Sequence, residues 1–372
     1  MHKRFCHPQS TRLLLVFILF AFTLWMGAAT AEAKIVEGMQ IDNGQPAVLD
    51  KENPQIQAVM AIQDHHSPAL LALPDVVGTA TGLNEQGKPA VVVFTKGPGA
   101  MGIPAHLEGV PVVVRMTGEF HALKPNKGGG SQVSTTAVLK PPVPIGVSTG
   151  NENECSAGTI GARVTDNTNY YALSNNHVYA LENAAPRYSS NRVLQPGTYD
   201  TQCLATGNVI GELAYYIPIY FGSSGNTVDA ALAALYRDSQ GNLMVGKATP
   251  SNGYGTPKSA IVAPVIGTSV MKYGRTTQQT VGTITGINAT ITISYGSSGN
   301  ATFSNQIIVQ SGRPFLKAGD SGSLMVTTNG LNPVGLLFAG DSTGKYAVAN
   351  DIDDVLTSLS VLTGTTLRID GD

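Results

Sequence analysis

Charged side chains are few in this chain: Asp, Glu, Lys and Arg make up 13% of its 372 residues, and the net charge is −2. So thin a supply of cations assembles no surface for nucleic acid or for an anionic membrane. Cysteine is almost missing, with Cys6, Cys155 and Cys203 as the whole complement. Two late cysteines without a neighbouring histidine pair do not make a zinc site. No apolar run after Trp25 is long enough to span a bilayer. Histidine is sparse too, and the stretch from Gly150 to Asp372 holds only His177. Glycine is abundant, at 42 residues, beside 21 prolines. With much Thr, Val and Ser, that composition reads as short strands joined by turns.

The one long apolar run lies at the start. His2, Lys3, Arg4 and Arg12 form a basic head, and Leu13 to Trp25 an apolar core. That core is shorter than the roughly 20 residues of a membrane-spanning helix. Ala29-Thr-Ala31 and Ala31-Glu-Ala33 are small-residue cleavage sequences. Residues 1–33 therefore read as an export signal, with an uncleaved anchor as the alternative. The mature chain is expected to be soluble, secreted or periplasmic. Cys6 leaves with the signal, and Cys155 and Cys203 remain as an even pair in an oxidising compartment. A disulfide between them would contribute about 3–4 kcal/mol through the entropy of loop closure.

Three regions follow. Residues 34–124 read as a small α+β domain. Pro54 to Leu73 has helical spacing, and Val76 to Leu83, Pro89 to Thr95 and Val110 to Thr117 read as strands. Asn84 to Gly87 marks a hairpin turn, and Pro104 to Leu107 a short second helix. Residues 125–149 read as a linker, flexible at Gly128-Gly-Gly130 and stiff at Pro141-Pro-Val-Pro144. From 150 to 372 many short strands alternate with turns. One helix closes the chain from Asp351, a candidate cap, to Leu359. This pattern points to an antiparallel barrel or sandwich.

The chemistry concentrates at Ala318-Gly-Asp-Ser-Gly322. Glycines on both sides of an Asp-Ser pair allow a tight turn that exposes a nucleophilic hydroxyl. The Gly319 and Ser321 N–H groups can point at a developing oxyanion. By itself the tetrapeptide is also an ordinary polar turn. His177, in Leu173-Ser-Asn-Asn-His177-Val, follows an apolar strand at the start of a loop and is a candidate general base. The acids available to orient it are Asp166, Asp200, Asp229, Asp238 and Asp341. Asp229 stands out, because Thr227-Val-Asp229-Ala-Ala-Leu places a carboxylate in an apolar strand, where a charge needs a partner. Asp320 is read as a brace for the serine turn.

The order His177, Asp229, Ser321, with these contexts, resembles the chymotrypsin-fold serine endopeptidases of bacterial type. Three further stretches resemble the alpha-lytic and streptogrisin-like enzymes. They are Cys155-Ser-Ala-Gly-Thr-Ile-Gly161, Tyr273-Gly-Arg-Thr-Thr277 with Val281-Gly-Thr-Ile-Thr285, and Gly335-Leu-Leu-Phe-Ala-Gly340. The resemblance implies an all-β double six-stranded antiparallel barrel with a C-terminal helix, preceded by the small α+β domain. It implies peptide-bond hydrolysis through an acyl-enzyme. Ser321 would be the nucleophile, His177 the base, Asp229 its orienting acid, and Gly319 and Ser321 the oxyanion hole. Gly340 would lie beside the substrate strand. Phe315, six residues before the serine, and Leu316 would make the pocket apolar. Two departures stand out: Ser323 replaces the second glycine of Gly-Asp-Ser-Gly-Gly, and the cysteine close after the histidine is absent.

The resemblance also suggests that residues 34–124 are a removable pro-region docked on the protease domain. A permanent accessory domain is the alternative. His65-His66 could ligate a metal or be solvated, and the reading calls for no metal and no cofactor. The expected partner is a polypeptide substrate. The rival function is a catalytically silent, protease-like binding module.

Overall fold

The computed structural model describes residues 48–122, 134–186, 190–222 and 225–372. The chain divides into two units, Met1–Val48 and Leu49–Asp372, and all elements below lie in the second. The expected export signal, the last two residues of the expected small domain and residues 125–133 of the expected linker fall outside the described residues.

Helix α1 (Pro54–Leu71) starts where Asn53 accepts hydrogen bonds from the N–H groups of Gln55 and Ile56, with Pro54 in the first turn. Its buried residues include Ile56, Val59 and Leu70. Strands β1 (Val76–Leu83) and β2 (Pro89–Thr95) form the expected hairpin. The expected helix at Pro104–Leu107 does not form. His106–Leu107 is instead strand β3, antiparallel to β4 (Val110–Met116), which runs parallel to β2. The chain turns back through Glu108 and Gly109, both at positive φ (48° and 85°), a two-residue hairpin turn that sets Leu107 opposite Val110. A short β5 (Phe120–Ala122) ends this region.

The first barrel comprises β6 (Ser148–Asn151), β7 (Gly158–Thr159), β8 (Ala162–Thr165), β9 (Tyr170–Ser174), β10 (Arg192–Gln195), β11 (Asn208–Tyr216) and β12 (Ala231–Leu235). Its order is β8-β9-β12-β11-β10-β6-β7. Because β7 and β8 are two halves of one interrupted strand, the sheet closes on itself with six strands. Helix α2 (Asn176–Tyr179) follows β9 directly. The second barrel comprises β13 (Ser269–Gly274), β14 (Gln278–Ser294), β15 (Asn300–Gln310), β16 (Leu324–Thr327), β17 (Pro333–Asp341) and β18 (Tyr346–Asp351). Its order is β13-β16-β17-β18-β15-β14, and β13 pairs with β14 to close the ring. Helix α3 (Ile352–Thr363) and β19 (Arg368–Ile369) finish the chain, β19 pairing with β8. The expected double barrel with a late helix is therefore the observed fold.

The N-terminal region shares a sheet with the second barrel rather than standing apart. Strand β1 pairs antiparallel with β14, and β5 lies between β14 and β17. A buried polar network pins the junction. Gln63 of α1 donates to the Asn288 carbonyl at 2.8 Å and to Thr79 at 3.2 Å, and accepts from Thr81 at 2.9 Å. Each polar group there is satisfied, so its burial carries little penalty.

The second half of the stretch read as a linker is packed. Val143, Ile145 and Val147 are fully buried in the first barrel's core. Their alternation is a period-two signal that the surrounding prolines and glycine mask.

Asp351 caps α3 as expected, its Oδ1 accepting the Asp353 N–H at 3.0 Å. Burial pushes its carboxyl up to about 6, with Lys51 3.9 Å away as a weak counterweight. A carboxyl raised in the folded state holds its proton more tightly there than in the unfolded chain. Its contribution is therefore most favourable below pH ~4 and is lost as pH rises towards 6. Asn caps as well as Asp, so Asp351→Asn should stabilise the protein at pH 7 by roughly 1–3 kcal/mol. The advantage should vanish by pH 4. Thermal unfolding of both proteins across this range tests it, and a difference that ignores pH would refute it.

Candidate active site

Strand register brings the first two candidate residues together. Ser174 of β9 pairs with Ala231 of β12. His177 lies three residues beyond the one and Asp229 two residues before the other, so both emerge at the same end of the barrel. His177 sits on the one-turn helix α2 rather than in the expected loop. Its Nδ1 is 2.6 Å from Asp229 Oδ2, and its backbone N–H donates to Oδ1 at 3.2 Å. Asn175 donates to the Asp229 carbonyl at 2.7 Å, and the Asp229 N–H donates to Asn350 at 3.1 Å. Both side chains are buried. The carboxylate fixes the hydrogen on Nδ1 and leaves Nε2 as the acceptor. Nε2 is buried and has no hydrogen-bond partner among the described residues.

Ser321 comes from the other barrel, on the turn before β16. Gly319 and Gly322 adopt φ of 94° and 89°. A side chain at Gly322 would strike Ser174 Oγ at 2.2 Å and the Thr159 carbonyl at 2.5 Å, so only glycine fits there. Thr159, the last residue of β7, grips the turn from the first barrel. Its N–H donates to the Ser321 carbonyl at 2.8 Å and its hydroxyl to the Gly319 carbonyl at 2.9 Å. Neither the Gly319 nor the Ser321 N–H donates to another group among the described residues. Ser321 Oγ makes a long contact, 3.4 Å, to the Phe338 carbonyl and none to His177. Catalytic hydrogen bonds are often unmade without substrate.

Asp320 has the bracing position expected of it. It accepts from the N–H groups of Thr276 (2.8 Å), Thr277 (3.1 Å) and Lys317 (2.8 Å), and from the Thr277 hydroxyl (2.7 Å). Lys272, fully buried on β13, lies 3.3 Å from the same carboxylate and donates to the Gln278 carbonyl at 2.9 Å. Burial lowers the Lys272 ammonium's pKa, and Asp320 pulls it back up. The irregular Ser323 is absorbed without distortion: its hydroxyl donates to the Asp320 carbonyl at 2.5 Å.

The other acids are elsewhere. Asp200 forms a two-point ion pair with Arg275, at 2.5 and 2.8 Å. Asp166, Asp238 and Asp341 accept hydrogen bonds within local turns. Phe315 and Leu316 are fully buried in the second barrel's core. Gly340 pairs with His121 of β5. Cys155 and Cys203 are disulfide-bonded, tying the β6–β7 connection to the turn after residue 201. His65 and His66 both hydrogen-bond one Glu108 oxygen, at 2.9 Å each, on an exposed surface. Those bonds hold the Glu108 carboxyl below its usual range.

Sequence reasoning missed Thr159, Lys272, Asn350 and Tyr295, whose hydroxyl donates to Asp229 Oδ2 at 2.9 Å. A lysine amid Val270, Met271 and Tyr273 was the one available signal, a charge inside an apolar strand. Tyr295 and Asn350 carry none, since each sits in an ordinary strand or turn.

Residues 227–369 match the model of peptidase family S64. No curated protein matches the chain. Among solved structures, the chain is similar to a glutamic-acid-specific serine protease, at 20% identity over 61% of this chain and 100% of that one, with a TM-score of 0.42. Thermobifida fusca protease A matches at 19% identity over 62% and 99%, TM-score 0.41. Cellulomonas bogoriensis chymotrypsin matches at 21% identity over 62% and 99%, TM-score 0.40.

Proposed function

We propose that this serine endopeptidase of chymotrypsin-like fold cleaves polypeptides with His177, Asp229 and Ser321 as its catalytic triad. The observation that carries the reading is the buried His177–Asp229 pair at 2.6 Å, set beside a serine on a glycine turn contributed by the other barrel. Ser321 Oγ attacks the scissile carbonyl carbon as its proton passes to His177 Nε2. Asp229 holds the tautomer and stabilises the imidazolium. The Gly319 and Ser321 N–H groups bind the oxyanion, each such donor contributing roughly 3–4 kcal/mol to the transition state. His177 then gives the proton to the leaving amine, and water hydrolyses the acyl-enzyme by the reverse transfers. A small or apolar residue before the scissile bond fits the absence of an acid at Phe315 and Leu316.

The N-terminal region acts here as a pro-region. Strand β5 runs antiparallel to β17, with His121 opposite Gly340 and Ala122 opposite Ala339. That is the position assigned to substrate backbone by the family resemblance. Its direction leads towards Phe338, whose carbonyl touches Ser321 Oγ at 3.4 Å. The region thus offers its own backbone to the cleft, and cleavage after Ala122 and before Ser134 frees the site. Secretion is supported by the basic-apolar start of the chain and by the Cys155–Cys203 bridge. Among the described residues no helix is long and apolar enough to cross a membrane.

Secreted wild-type protein should begin, on N-terminal sequencing, between residues 123 and 134 and be labelled by a fluorophosphonate. Ser321→Ala should lose labelling entirely. Processed wild-type protein that resists the label would favour the silent binding module instead.

A further inference from the structure

We propose that Tyr295 is a positioning residue of the catalytic apparatus, a hydroxyl supplied by the second barrel that holds the Asp229 carboxylate of the first. The inference rests on the triad reading above and adds a fourth member to it.

Three donors reach the Asp229 side chain among the described residues. The His177 N–H takes Oδ1 at 3.2 Å, while His177 Nδ1 (2.6 Å) and Tyr295 Oη (2.9 Å) share Oδ2. A fully buried carboxylate needs such donors to remain ionised. With only the two histidine donors, both on one residue, carboxylate and imidazole could swing together as a unit. The tyrosine ties Oδ2 to an independent element and so fixes the plane in which Nδ1–H is received.

Tyr295 is itself held on every side. It follows β14, and its N–H closes the hairpin turn onto the Gly299 carbonyl at 2.9 Å. Its ring packs edge-on against His177, with centroids 5.9 Å apart, and against Phe221 at 5.5 Å. Phe303 lies tilted beside it at 6.2 Å. At the hairpin tip, Ser298 donates to Glu182, in the segment just after α2. Burial and the negative charge of Asp229 push the phenol's pKa well up. It therefore stays protonated, and a donor, at neutral pH. The bond also couples barrel docking to catalysis: the carboxylate is fully restrained only when the β14–β15 hairpin is seated against the first barrel.

Tyr295→Phe keeps the ring and removes the hydroxyl. With the processed enzyme and a peptide substrate, kcat should fall about tenfold, equivalent to about 1.4 kcal/mol, with KM within about twofold of wild type. The low-field proton resonance of the His177–Asp229 hydrogen bond should move. In an Asp229→Asn background the same substitution should change kcat less than about twofold, because the residue acts through that carboxylate. An unchanged kcat with an unmoved resonance overturns the proposal. So does a full tenfold loss persisting in Asp229→Asn, which marks a merely structural role. If Tyr295→Phe fails to fold, 3-fluorotyrosine at position 295 keeps the contacts and alters only the donor's acidity; a resonance that then stays put overturns it equally. A wild-type enzyme inert to fluorophosphonate would sink the triad reading, while the resonance would still decide whether Tyr295 holds Asp229.

Discussion

Asp229→Asn should lower kcat about 10⁴-fold while leaving KM and the unfolding temperature close to those of the wild type. The amide has nearly the volume of the carboxylate, so packing in this buried site persists. Its chemistry is different. The carboxylate receives hydrogen bonds from His177 Nδ1, the His177 N–H and the Tyr295 hydroxyl at 2.6, 3.2 and 2.9 Å. An amide has one oxygen for three donors. Its NH2 group, turned towards the imidazole, demands an acceptor at Nδ1 and so drives the ring's hydrogen to Nε2. That nitrogen, now buried without a partner among the described residues, could then no longer accept the Ser321 proton. Steady-state kinetics on a peptide substrate, with thermal unfolding as the control for folding, measures this directly. A loss smaller than about tenfold would remove Asp229 from the triad and return the search to some other group.

Lys272→Met should be the most damaging substitution to stability at the site, by roughly 3–5 kcal/mol. The lysine is fully buried, and Met fills nearly the same space, so lost packing contributes little. What remains is the Asp320 carboxylate, also fully buried, deprived of the cation 3.3 Å away. Four other donors still reach it, so the turn keeps a partial anchor. The turn carries both Ser321 and the N–H groups proposed to bind the oxyanion, so kcat should fall along with stability. The double variant Lys272→Met with Asp320→Asn removes both charges and should recover part of the stability loss, a non-additivity that identifies the pair. Chemical denaturation of the two single variants and the double measures it. Strict additivity would mean that the two charges do not act on each other.

The serine turn was legible because its constraint is local. Gly319 and Gly322 stand where the backbone takes positive φ, and at Gly322 a side chain would strike Ser174 and Thr159. The β1–β2 hairpin, the cap at Asp351 and the packed α1 were legible for the same reason: a turn, a cap or a helical face is written in adjacent residues. Buried charge was half legible. Asp229 stood out in an apolar context, whereas Lys272, in a similar one, passed unnoticed. Local signals also misled. The Pro-rich stretch around Val143 read as linker although Val143, Ile145 and Val147 alternate into the core, and Pro104–Leu107 read as helix although its partner strand lay a few residues ahead.

From its own order of residues, this chain determines a β-rich domain of chymotrypsin-like type, a serine on a glycine turn and the histidine and acid proposed to serve it. Those properties depend on backbone conformations and residue chemistry that neighbours in sequence impose. The tertiary structure alone decides which groups complete the site: Tyr295 on Asp229, Lys272 on Asp320, Thr159 across the barrel gap, and β5 laid along β17. Each is a contact between elements far apart in sequence, set by strand register and barrel closure. A tyrosine in a hairpin turn looks the same in sequence whether or not a carboxylate waits 2.9 Å from its hydroxyl.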